Sequence, residues 1–139
     1  MEYELRIEEV YFDIYETRRN QDGDIELTWD GNQWFHGLDK EIFKSIPDVI
    51  RALTRAWRDE LVPDEKEKWS ISEEGILSVD IPHLLTKRGT GFLADQREIE
   101  EWQSGRSSLH RYKLNCVLYV RPVVEEHLIK PEEASQFGL

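Results

Sequence analysis

Apolar and charged residues alternate from the first residues of the chain. Tyr3, Leu5 and Ile7 take odd positions, and Val10, Phe12 and Ile14 continue the alternation on even ones. Side chains point alternately to the two faces of a strand, so this pattern predicts one strand over 3–17 with an extra residue at Glu8-Glu9, a β-bulge that returns the apolar set to a single face. After a polar turn over 18–23, Ile25, Leu27 and Trp29 read as the core face of a second strand. Asp30-Gly31 is a two-residue hairpin signal, predicting a third strand over 33–38 and an antiparallel meander.

The period then changes. Ile42, Phe43, Ile46, Val49, Ile50, Leu53, Trp57 and Leu61 recur at helical spacing. Pro47 and the Ser45/Asp48 capping pair place the start of the main helix near residue 47, with its end at Leu61. Trp69 and Ile71, followed by Ile76 or Leu77 and then by Val79 and Ile81, predict a second hairpin around Ser72–Gly75. A short helix is expected at Asp95–Gln103, with Ile99 and Trp102 on one side. Tyr112, Leu114, Cys116, Leu118 and Val120 alternate strictly, and Val117 and Tyr119 make the other face apolar too, so this strand is expected to be central in a sheet or covered by the helix. Residues after 131 are polar and read as a loose tail. The expectation is one α+β domain over 1–139: an antiparallel sheet of about five to six strands with the 47–61 helix packed on a face.

Composition supports a folded domain and narrows its function. Five Trp, five Tyr and five Phe offset a modest aliphatic count, since each aromatic buries a large area. The single cysteine, Cys116, allows no internal disulfide. No apolar run approaches the length of a membrane span, and the acidic start lacks a signal-peptide pattern, so a cytoplasmic protein without membrane contact is expected.

The net charge is −11 and lies in one half. Residues 1–80 carry 21 acidic against 10 basic residues, and residues 81–139 carry 8 of each. Such a half attracts basic partners and repels phosphate, which argues against direct nucleic-acid binding. Placing Ile25, Leu27 and Trp29 in the core puts Glu9, Tyr11, Asp13 and Tyr15 of the first strand, with Asp24, Glu26 and Asp30 of the second, together on one outer face. Tyrosine suits an interface because it offers much contact area with few rotors, and carboxylates beside it would pair with Lys or Arg. A solvated strand face is the plainer account of the same alternation.

Catalytic and metal motifs are missing from the chain. His36, His83, His110 and His127 stand singly, outside any spacing used for metal ligation. Cys116 sits in a strongly apolar strand and reads as core. Arg51, Arg55 and Arg58 share a helical face, but opposite charges four residues away suit a solvated face equally. The loop Lys87-Arg88-Gly89-Thr90-Gly91 lacks the full spacing of a phosphate-binding loop; it also suits contact with the acidic half or with a second copy, as in a homodimer.

No cofactor is expected. The leading expectation is a non-enzymatic protein-binding module, an acidic inhibitor of the immunity-protein or antitoxin kind, that neutralises a basic partner such as a nuclease toxin. The alternative is a small-molecule-binding domain or small enzyme, with a pocket between helix and sheet rimmed by Trp34, His36, Trp57, Trp69 and His83. A structural or adaptor subunit is the third.

Overall fold

The computed structural model describes residues 3–57, 61–89, 91–121 and 125–139. Strand β1 (Glu4–Arg19) runs the length of the sheet, and the bulge expected in it is present. Ile7 pairs with Leu118 and Glu9 with Val117, leaving Glu8 as the extra residue, so Leu5, Ile7, Val10 and Phe12 are all buried on one face. Strand β2 (Ile25–Phe35) pairs along one edge of β1, followed there by the short β3 (Ile42–Phe43). The other edge of β1 takes β6 (Leu109–Arg121), then β5 (Ile76–Asp80) and β4 (Ser70–Ile71), giving the order β2-β1-β6-β5-β4. β7 (His127–Leu128) adds to β6. These pairings are antiparallel, and β6 is central, between β1 and β5.

Helix α1 (Ile46–Ala56) covers one face of this sheet, hereafter the helix face. The Ser45 side chain accepts from the Asp48 N–H, and Pro47 occupies the first turn, where no backbone donor is needed. Ile46, Val49, Ile50 and Leu53 pack into one core with Leu5, Phe12, Leu114 and Leu118. The helix stops at Ala56, earlier than the apolar spacing suggests. Leu61 is still buried, but reaches the core from a turn.

The expected loose tail is tied down instead. Pro131–Phe137 forms a 3-10 helix against α1, with Phe137 buried and Gly138 in the left-handed conformation beside the Pro47 ring. A second short helix, α2 (Gln96–Gln103), starts with reciprocal capping by Asp95 and Glu98. Its Trp102 covers one end of the opposite, open face, donating Nε1–H to the Thr17 carbonyl at 3.1 Å.

The main departure from the sequence pattern lies in β2. Asp30-Gly31 is not a hairpin, and 33–38 is not a third strand; β2 passes straight through. Tyr15 pairs with Trp29 and Asp13 with Asn32, so Ile14 alone opposes Asp30 and Gly31. This is a second bulge, with Gly31 at φ +115°, a conformation that L side chains rarely adopt. Beyond it, Phe35 turns into the core edge-on to Trp57. Before it, Ile25, Leu27 and Trp29 lie on the open face beside Tyr15 and Thr17, not in the core.

Replacing Gly31 with Ala is expected to lower stability by about 1–3 kcal/mol through backbone strain, because a Cβ there meets no other atom within 4 Å. The urea unfolding midpoint measures it. An unchanged midpoint would show that the bulge does not depend on glycine.

Candidate functional site

The open face is built from alternate residues of four strands. Across its middle, Asn32 Nδ2 donates to Asp13 Oδ1 at 2.6 Å and Asn115 Nδ2 to Asp13 Oδ2 at 3.0 Å, while Ser78 Oγ donates to Asn115 Oδ1 at 2.9 Å. Asn115 and Ser78 are buried, so this chain satisfies polar groups that would otherwise be costly. On one side of it, Trp34 lies against Tyr11, with ring centroids 4.8 Å apart. On the other lie Tyr15, Trp29, Leu27 and Ile25. Ile25, Leu27 and Trp29 are 53%, 60% and 59% exposed, and Trp34 is 49% exposed. Burial, then the charges of Asp13 and Glu9, raises the Tyr11 pKa; burial, then Asp13 and Asp80, raises that of Tyr15. Both tyrosines therefore stay neutral hydroxyl donors.

A cleft of about 1000 Å³ opens where this face meets the edge of β5. β4 pairs only as far as Ser78, so among the described residues no strand covers β5 at Val79 and Asp80 on that side. Tyr15, Leu27, Arg111 and Lys113 line the cleft from the sheet, and the turn Leu61–Glu65 lines it from the other side. Arg111 is held by donation from Nη1 to the Pro82 carbonyl at 2.8 Å. The lining carries Lys68, Arg111 and Lys113 against Asp64, Glu65 and Asp80, with His83 beside them.

The surface expected from the sequence is divided between two faces. Glu9, Tyr11, Asp13 and Tyr15 share the open face, as expected. Glu26 pairs opposite Arg18, and the Asp30 carboxylate lies 3.0 Å from His110 Nε2, so both face the other way, with Asp24 exposed in the turn before them. The reason is the register: Trp29 aligns with Tyr15, which sends its neighbours on β2 to the opposite side. Other acids are matched with cations around the molecule, including Glu16 with Lys87 at 2.8 Å, Glu98 with Arg88 at 2.9 Å and Asp48 with Arg51.

The alternative pocket does not assemble either. Trp34 is on the open face, and exposed His36 pairs with Asp39 at 3.1 Å. Trp57 packs on Phe12, centroids 4.5 Å apart, and Trp69 donates to the Pro63 carbonyl at 3.0 Å. Of the five, His83 alone lines the cleft. The gap between α1 and the sheet at Trp57 measures about 10 Å³, no more than a water needs.

The remaining candidates are scattered. Cys116 is fully buried, and burial pushes its thiol pKa up, away from a reactive thiolate. His127 pairs with Glu133 at 3.0 Å. Arg58 and Thr90 lie outside the described residues. Among the described residues no three His, Cys, Asp or Glu side chains converge as a metal site, and no helix is long and apolar enough to cross a membrane. What sequence reasoning missed is the exposed apolar row on β2. Its signal was the odd step from Trp29 to Trp34, the same kind of parity change that marks the bulge in β1 between Ile7 and Val10.

Compared with protein-family models, with curated proteins and with solved structures, the chain matches none.

Removing the middle link of the polar chain by Asn115→Ala leaves Ser78 and Asp13 each short of a partner. The expected loss is about 1–3 kcal/mol of stability. Denaturant unfolding measures it, and a neutral result would mean that water replaces the amide at no cost.

Proposed function

We propose that this protein is a protein-binding module that docks a partner on the open face of its sheet, along β2. One observation carries the reading: Ile25, Leu27 and Trp29 stand in a row on an edge strand, each more than half exposed. Single exposed apolar side chains are ordinary, whereas a row flanked by Tyr15, Tyr11 and Trp34 resembles the core of an interface. Tyr and Trp supply large contact area at low entropic cost, and Asp13 with its amide partners supplies fixed polar contacts.

This reading keeps the expected class and changes its physics. Neutralising a nuclease by phosphate mimicry needs carboxylates gathered on one face, and here they are divided between two. Contact therefore falls to the rings and aliphatic chains, while the net charge of −11 steers a basic partner toward the molecule.

A peptide-display library selected on the wild-type protein tests the docking face, with Leu27→Asp/Trp29→Asp as the comparison. Both residues are exposed, so the variant is expected to fold. Selected binders should lose roughly tenfold or more in affinity for it. Binders that hold the variant equally well would overturn the reading.

The cleft favours a second reading, a small amphoteric ligand. Its volume suits one, and its three cationic and three acidic side chains match a molecule carrying both charges. A thermal-shift screen with zwitterionic metabolites should then raise the melting temperature by roughly 2–4 °C at saturating ligand, abolished by Arg111→Ala. No shift with any such compound would dismiss this reading.

A further inference from the structure

Resting on the reading of β2 as the docking strand, we propose that the partner adds to its free edge as a further strand. That strand would carry Lys or Arg at alternate positions and large apolar residues between them. β2 ends the sheet, and among the described residues only β1 pairs with it. Residues 25–30 are exposed at every position, so neither face of this stretch is covered. The bulge at Asp30-Gly31 closes the flat stretch at six residues, enough for an ordinary strand pairing.

Edge strands are commonly blunted by proline or by lysine. This one has neither: from Asn20 to Asp39 the chain carries no Lys, Arg or Pro. What it offers is a two-sided code. Ile25, Leu27 and Trp29 point to the open face, and Glu26, Thr28 and Asp30 to the other. The second side also holds Glu16 on β1, so three carboxylates, Glu16, Glu26 and Asp30, stand there with Arg18, Lys87 and His110, and Asp22 and Asp24 add negative charge in the exposed turn beside them.

Charge decides the occupant. A second copy pairing antiparallel about Thr28 would set Glu26 against Asp30 of that copy. Pairing about Leu27 would set Asp24 against Asp30. Like charges directly opposite destabilise a sheet, and each copy already carries −11. A basic strand reverses the sign of each contact, while its apolar residues extend the row of Ile25, Leu27 and Trp29. Main-chain hydrogen bonds would supply affinity and the alternating side chains specificity.

Four capped eight-residue peptides test this on the intact protein: alternating Lys and Val, the same with Glu for Lys, the same with Thr for Lys, and the Lys peptide with two Val replaced by Pro. Binding is read by Trp fluorescence, and the added strand by hydrogen-exchange protection of those amides of 25–30 that point away from β1, since the alternate ones already face it. The Lys/Val peptide should bind and protect those amides. The Glu and Pro peptides should bind roughly tenfold more weakly, and Glu26→Lys should shift preference from the Lys toward the Glu peptide. Equal binding of the Thr peptide would remove the charge rule and leave docking intact. Equal binding of the Pro peptide would remove strand addition, because proline cannot join the ladder. A dimer in sedimentation with those outward amides protected before any peptide is added would assign the edge to a second copy. No binding by the Lys/Val peptide, with display binders still sensitive to Leu27→Asp/Trp29→Asp, would overturn this inference alone; insensitive binders would overturn the docking reading beneath it.

Discussion

Side chains alternate across a strand, so one extra residue in either partner of a pair sends everything beyond it to the opposite face. β1 is paired along both edges, and a bulge interrupts each pairing, at Glu8 toward β6 and at Asp30-Gly31 toward β2. The first gathers Leu5, Ile7, Val10 and Phe12 under α1. The second turns Ile25, Leu27 and Trp29 away from it. Core and candidate site are thus two consequences of one constraint, the register of β1.

The helix face and the open face differ in how they are completed. α1 and the 3-10 helix at 131–137 supply apolar side chains to the core, and the gap beside Trp57 measures only about 10 Å³. At one end of the open face Trp102 bonds to the Thr17 carbonyl, and Trp102, Thr17 and Leu109 are buried there. In its middle, the buried Asn115 and Ser78 find partners through Asp13 rather than through a second layer. The rings and aliphatic chains of β1 and β2 flanking that polar chain remain available for contact.

Charge acts here at two ranges. At long range the whole molecule is acidic, and its field favours basic partners whichever face they meet. At contact range the carboxylates are spread and often matched, as Glu16 is with Lys87 and Asp48 with Arg51, and exposed pairs of this kind add little to stability. β2 itself carries no basic residue, and the nearest partners of its acids stand on neighbouring strands, Arg18 opposite Glu26 and His110 beside Asp30.

Element type was largely legible in the chain, because each element carries its own period: two in β1 and β6, near 3.6 in α1, and a capping pair at Asp95. The bulge at Glu8 was legible because apolar residues flank it on both sides. The bulge at Gly31 was not, since Asp-Gly between alternating runs also describes a hairpin, and only pairing with Tyr15 and Asp13 distinguishes the two. The anchored tail was hidden for a related reason, because Phe137 gains its burial from α1, far away along the chain. Alternation alone determined which residues of each strand share a side. The tertiary structure decided which of those sides meets the core, because that depends on backbone pairing between segments whose sequences do not refer to one another.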